Sequence, residues 1–321
     1  MSLAFLFPGQ GSQQPDMLHT LPTTPAVSAV LDESRSQLGR LGLTADVDTA
    51  AALQDTTNVQ IALLIAGVGC ARALSADHGL IPQFVAGHSV GAFSAAVTAG
   101  VITLSEALAA VALRGNLMKE ACADGDWGMA AVTGLPTRSA CQIAQQVASA
   151  EDPAWVANIN SATQTVFSGT ASALRKVADA AKIAGAFNYE RLNVAVASHC
   201  PKQAATAQRM AAHLAGLPRR EPTVRYLTNT RGRVTPSAET ILDDLAQSVA
   251  RPVQWYDATR LMGELGATCA IETEPGHVLT RLLASAAPAV AAISLQDRGL
   301  AATARRANRL LDTEDRSQAN G

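Results

Sequence analysis

Aromatic residues are scarce in this chain. Phe, Trp and Tyr make up 4% of 321 residues, and charged side chains only 16%. So few rings argue against a β-sandwich core, and the abundance of alanine favours closely packed helices. Basic surplus is also missing: the formal net charge is −2, which speaks against nucleic acid as a partner. Five cysteines, at Cys70, Cys122, Cys141, Cys200 and Cys269, form an odd set without the short spacing of a zinc site or redox pair. No residue cluster points to a metal. The N-terminal apolar run Leu3–Phe7 has no basic stretch before it and is closed by Pro8-Gly9, so it does not read as a secretory signal. The longest apolar stretches, such as Ile61 to Ala71, fall short of the ~18 residues that a membrane span needs. These absences give the expectation of a soluble protein in a reducing cytoplasm, with no membrane.

What is present is a chain with 48% hydrophobic residues, enough for one large domain or a main domain with an insert. Leu3–Phe7 is a buried strand, followed by the loop Pro8-Gly-Gln-Gly-Ser-Gln13. Helical patterns dominate to about residue 80. Phe84–Ala86 is a short strand, Ala92–Ala99 a helix stopped by Gly100, and Leu104–Ala121 a second helix. Strand passing into helix through a tight turn indicates an α/β fold. Near Asp124 the pattern changes to strand, helix, paired strands, helix and strand, the last over Glu190–Val194. A small inserted α+β subdomain over residues 125–197 follows from that alternation, with the main domain in residues 1–124 and 198–321. The polar tail from Thr313 is expected to be disordered.

Gly87-His-Ser-Val-Gly91 fits the G-x-S-x-G nucleophile elbow, in the required context of a preceding strand and a following helix. The turn demands small neighbours two residues either side of Ser89. The helix N-terminus beyond it offers free N–H groups where negative charge would develop on an acyl oxygen. Ser89 is therefore the candidate nucleophile. For the base, His199 on a predicted loop and His277 in Glu274-Pro-Gly-His277 compete, and sequence order alone does not choose between them. Arg114 lies on an apolar helix segment. A buried guanidinium needs a partner, and a substrate carboxylate would serve; a surface arginine or an internal salt bridge are the plainer readings. The loop Pro8–Gln13 lacks a P-loop ending and dinucleotide spacing, and suits an oxyanion N–H better than a phosphate.

Phe7-Pro-Gly-Gln-Gly-Ser-Gln13 and Gly87-His-Ser-Val-Gly91 resemble the two signature motifs of malonyl-CoA:acyl-carrier-protein transacylases. Arg114–Met118, Val156–Asn160, Ser198–Cys200, Pro252–Trp255 and Glu274–Thr280 resemble further motifs of that family, in the same order, to about residue 295. The resemblance implies a hydrolase-like parallel-sheet main domain with a ferredoxin-like insert. It implies His199 as the base, Arg114 as partner of the malonyl carboxylate, and the backbone N–H groups of Gln10 and Val90 as the oxyanion hole. Gln60 matches a polar residue near the acyl pocket, and Asn158 and Asn160 match residues near the cleft. Ser248 stands where the family often has Gln, whose backbone carbonyl orients the histidine. Ala92 and Phe93 replace an acidic residue and Tyr.

These departures, with Tyr226–Arg233, make the sequence similar to the epsilon-subunit branch found in bacterial malonate decarboxylases. Malonyl-CoA as substrate, an acyl carrier protein bearing a phosphopantetheine-type thiol as acceptor, other decarboxylase subunits as partners and no bound cofactor are what the resemblance implies. A serine hydrolase using Ser89, His277 and Asp257 or Glu264 is one alternative; a carrier-binding subunit without catalysis is another. Arg219, Arg220, Arg225, Arg231 and Arg233 form a basic stretch that suits either CoA or carrier phosphates or, more simply, a solvated face.

Overall fold

The computed structural model describes residues 2–319, with side chains to Asp312. In chain order the elements begin with β1 (Ser2–Phe7), α1 (Pro25–Arg40), α2 (Thr56–Arg72), β2 (Phe84–Gly87), α3 (Gly91–Thr98) and α4 (Leu104–Ala121). The next group is β3 (Trp127–Thr133), α5 (Thr137–Val147), β4 (Ala154–Ser161), β5 (Gln164–Thr170), α6 (Ala171–Ile183) and β6 (Asn188–Arg191). The chain returns through α7 (Ala204–Ala215), β7 (Arg225–Leu227), β8 (Val234–Thr235), α8 (Ala238–Gln247) and α9 (Trp255–Glu264). It closes with β9 (Ala267–Glu272), α10 (Val278–Ala286), β10 (Ala291–Ser294), α11 (Leu295–Arg298) and α12 (Leu300–Ala319).

The larger sheet has the order β10-β9-β1-β2-β7-β8, parallel except for the β7–β8 pair. β1 lies inside it, between β9 and β2, so both of its faces are covered. Leu3, Phe5 and Phe7 join the core formed with α1 to α4, while Ala4 and Leu6 join the opposite core against α9 and α10. A strand buried on both faces reads as a continuous apolar run. The helices start where local chemistry says they should. Thr24 caps α1 ahead of Pro25, and Thr103 with Glu106 closes a capping box on α4.

The insert is a four-stranded antiparallel sheet in the order β4-β5-β3-β6, with α5 and α6 on one face. This is the ferredoxin-like βαββαβ arrangement. It is tied to the main sheet's domain by backbone bonds across β4 and the segment before α9: Ile159 N–H donates to Val253 O and Val253 N–H to Ala157 O, both at 2.9 Å.

Three expectations are corrected. The last insert strand spans Asn188–Arg191, not Glu190–Val194; Leu192 N–H still donates to Met129 O at 2.9 Å, but from there Leu192 and Val194 follow the sheet by packing against Met129 and Val166. α12 runs to Ala319 through the tail expected to be disordered, since residues 300–319 contain neither Gly nor Pro to stop it. Residues 320 and 321 lie outside the described residues. The helical segment Thr56–Asp77 is long and apolar enough to cross a membrane, unlike the shorter runs visible in sequence, but 83% of its apolar window is buried inside the protein. It is the central core helix, and protein covers its apolar surface.

Candidate active site

β2 ends at Gly87 and α3 begins at Gly91, leaving Ser89 at φ 55°, in the left-handed region that non-glycine residues seldom adopt. The tightness of this turn explains its glycines. A Cβ on Gly87 would stand 2.0 Å from the carbonyl carbon of Gly91, and one on Gly91 would stand 2.2 Å from Phe7 O. The loop after β1 thus lies directly against the elbow. Strain of this kind persists only where the surroundings hold it, and it concentrates at functional sites.

His199, 110 positions along the chain, brings Nε2 to 2.8 Å from Ser89 Oγ. Its own φ is 60°. Nδ1 lies 2.5 Å from the carbonyl oxygen of Ser248, just past α8. A carbonyl only accepts, so Nδ1 carries the proton and Nε2 is left to accept from the serine hydroxyl. Burial, and then the charge of Arg114, push the imidazole down to about 3, so it stays neutral at physiological pH. The carbonyl expected at Ser248 is thus present, although the residue is not Gln.

Arg114, on α4, is 1% exposed. Its Nη1 donates to Gln60 Oε1 at 2.5 Å and its Nη2 to Ser89 Oγ at 3.1 Å, while Nε is buried without a partner. Among the described residues no carboxylate pairs with it. Burial lowers its pKa to about 10, which leaves it cationic at neutral pH. Gln60, on α2, touches the guanidinium itself, and its amide nitrogen contacts Met118 Sδ at 3.4 Å. The two helices approach closely here: a Cβ on Gly115 would stand 2.6 Å from Thr57 Cα.

Beside the elbow a cleft of about 520 Å³ separates the loop Pro8–Gln13 from the insert's sheet, with α10 as a further wall. Gln10, His88, Asn158, Asn160 and Gln164 line it. Among the described residues, the backbone N–H groups of Gln10 and Val90 donate to no protein acceptor. Asn158 Oδ1 is buried without a partner. Asn160 instead bonds His88 Nε2 at 3.0 Å and Gln164 at 3.1 Å.

The competing pairing does not form. His277 is engaged with Asp297 at 3.2 Å, and Glu264 with Arg260 at 2.9 Å. The arginine stretch does not make one face toward the site. Arg220 pairs with Glu106, Arg219 bonds backbone carbonyls at the end of α7, and Arg225 sits over Phe84, at the end of the strands opposite Ser89. Sequence reasoning missed Asn229 and Asp244. Asn229 Oδ1 accepts from Ser89 N–H at 2.9 Å, its amide donates to Gly87 O at 2.8 Å, and Asp244 accepts from Asn229 N–H at 2.8 Å. Nothing local marks these residues, because each acts across long stretches of chain.

A hydroxyl activated by a neutral imidazole, at the start of a helix and beside an unpaired buried cation, is suited to moving an acyl group that carries an anion. The acyl transferase domain family matches residues 4–318, and the chain belongs to that family. Its relatives narrow the class. The malonyl CoA-acyl carrier protein transacylase of Escherichia coli K12 is 35% identical over 281 residues, 87% of this chain and 91% of that protein. The structure of the malonyl CoA-acyl carrier protein transacylase from Coxiella burnetii superposes with a TM-score of 0.89 at 31% identity, covering 97% of this chain and 98% of that one. A malonyl-transacylase solved in complex with a type II PKS acyl-carrier protein gives a TM-score of 0.87 at 33% identity, over 95% and 99% of the two chains.

Proposed function

We propose that this protein moves malonyl from malonyl-CoA to the thiol of an acyl carrier protein through a Ser89 ester. The observation that carries the reading is the buried Arg114 guanidinium, without an acidic partner and 3.1 Å from Ser89 Oγ. In the first half-reaction Ser89 Oγ attacks the thioester carbonyl carbon and gives its proton to His199 Nε2. The Gln10 and Val90 N–H groups receive the oxyanion, the C–S bond breaks, and CoA leaves with the proton. In the second, the carrier's thiol loses its proton to His199 and attacks the ester, and Ser89 takes the proton back. Arg114, fixed by Gln60, holds the malonyl carboxylate in both halves. An acyl group without that carboxylate would leave the charge unpaired. Asn158 and Asn160 offer amides to the arm that carries the thiol, and Ser248 O keeps His199 in the required tautomer.

The acceptor of choice is, on this reading, the carrier subunit of a malonate decarboxylase. Ala92, Phe93 and Ser248 depart from the residues common in fatty-acid transacylases and support it. A fatty-acid or polyketide carrier is the second reading, favoured by the names of the relatives. Intact mass after mixing with malonyl-CoA, alongside Ser89→Ala and an acetyl-CoA control, tests the acyl-enzyme. A malonyl adduct on the wild type alone is expected; release of CoA without an adduct would favour a hydrolase. Offering the adduct a phosphopantetheinyl carrier and, separately, one bearing phosphoribosyl-dephospho-CoA then tests the acceptor.

A further inference from the structure

The nucleophile and the base are mounted on one short helix that contains neither of them. α8 contributes the Asp244 carboxylate from its last turn and, immediately after its end, the Ser248 carbonyl. The Ser248 carbonyl holds His199 Nδ1. The Asp244 carboxylate is 3% exposed and accepts from Asn229 N–H at 2.8 Å, from Thr230 N–H at 2.8 Å and from the Thr230 hydroxyl at 2.6 Å. Three donors on one buried carboxylate fix the turn after β7 in one position.

Asn229 projects from that turn and is itself 3% exposed. Its oxygen takes the N–H of Ser89, and its nitrogen donates to the carbonyl of Gly87, two residues earlier. Only this amide orientation satisfies both groups, since the serine amide cannot accept and the carbonyl cannot donate. The side chain therefore grips the elbow on both sides of its strained residue. It also ties up Ser89 N–H, leaving the free donors of Gln10 and Val90 to face an oxyanion. Tyr226, on β7 just before that turn, adds a bond from its hydroxyl to Ala92 O at 3.4 Å.

We infer that Asn229, locked by Asp244, is a positioning residue that sets the Ser89 Oγ–His199 Nε2 geometry from the same helix that orients His199. The inference rests on the proposed Ser89 acyl-enzyme and deepens it. Asn229 touches no reacting atom; it acts through the backbone of Ser89.

Three variants test it: Asn229→Ala, Asn229→Asp and Asp244→Asn. Asn229→Asp keeps the acceptor for Ser89 N–H but sets a carboxylate oxygen against Gly87 O. Asp244→Asn keeps the shape and loses one acceptor. The readouts are the pre-steady-state rate of Ser89 acylation by malonyl-CoA, its concentration dependence, labelling by a fluorophosphonate, and the thermal midpoint. The expected result is a fall of about 10²-fold in the acylation rate for the two Asn229 variants, with half-saturation by malonyl-CoA within about 2-fold of wild type. Fluorophosphonate labelling falls in parallel, and Asp244→Asn shows a smaller loss of the same kind. Wild-type acylation in a folded Asn229→Ala protein would overturn the inference. So would acylation losses that merely track unfolding in all three variants, since stability alone would then account for them. A wild type that takes the fluorophosphonate but not malonyl-CoA would instead count against the proposed substrate; labelling of the variants still decides the positioning role.

Discussion

Arg114 Nη2 donates to Ser89 Oγ at 3.1 Å, so the residue that would select the acyl group touches the atom that would carry it. The guanidinium is buried against the Gln60 amide and the Ser89 hydroxyl, with one nitrogen unpartnered. Removing it should therefore separate function from stability. For Arg114→Met we expect the malonyl-CoA kcat/KM to fall about 10²-fold or more, with acetyl-CoA turnover little changed. The unliganded variant should melt at or above the wild-type temperature, because an uncompensated buried charge has gone. Free malonate should raise the thermal midpoint of the wild type and not of the variant. Equal stabilisation of both by malonate would contradict the assignment.

The depressed His199 pKa makes a pH prediction with a definite sign. Acylation needs the neutral imidazole, and a value of about 3 keeps it neutral well below the ordinary 6.5. The pH profile of kcat/KM for malonyl-CoA, which reports the free enzyme, should be flat from about pH 8 to about pH 5. An inflection between pH 6 and 7 assigned to His199 would count against its burial.

Stability should respond to acid through the same group. Unfolded His199 takes its proton near 6.5 and folded His199 only near 3, so between these values the unfolded chain holds the extra proton. Stability then falls as pH drops from about 6.5 toward 3. His88, shifted down chiefly by burial, adds a slope of the same sign. Urea midpoints across this range should decline on acidification, and His199→Asn should flatten part of the decline.

Two glycines outside the reactive set give a structural test. At Gly91 a Cβ would collide with Phe7 O, a backbone atom that cannot swing aside. Gly91→Ala should cost about 3 kcal/mol or more by denaturant titration, and should move the elbow off the loop that supplies Gln10 N–H.

At Gly115 the collision is with Thr57 Cα and lies one residue from Arg114. Gly115→Ala should push α4 from α2 across the Arg114–Gln60 bond. The expected readout is a loss of malonate-induced thermal stabilisation larger than the drop in the unliganded midpoint; an unchanged malonate response would contradict it.

Ser89 was legible because an elbow is a local event: one strand, two glycines and a helix within a short window. The α+β insert was legible for the same reason, through alternating periodicities, and its ferredoxin-like character through the resemblance. The base was legible only through the resemblance: spacing alone leaves His199 and His277 both open, and the path of the chain brings one to Ser89 and the other to Asp297. Arg114 was noticed as an oddity, but its burial without an acid depends on the packing of α4 against α2. Asn229, although inside the Tyr226–Arg233 stretch, and Asp244 carried no local sign of a role, being ordinary turn and helix residues whose partners lie beyond their own segments. The strand expected over Glu190–Val194 starts two residues earlier and its pairing stops at Leu192, whose N–H bonds Met129 O, while Val194 keeps the apolar alternation for packing alone.

The position of β1 inside the larger sheet has a consequence for biosynthesis. β1 leaves the ribosome before both of its neighbours in the sheet, β2 on one side and β9, which ends at Glu272, on the other. A growing chain long enough to expose Ser89 lacks His199, the Ser248 carbonyl and one whole side of the central strand. Its serine is an ordinary alcohol. Chemical competence therefore arrives late in synthesis, once residue 248 and the strand after it have emerged, and a chain terminated before that point lacks the assembled Ser89–His199 pair.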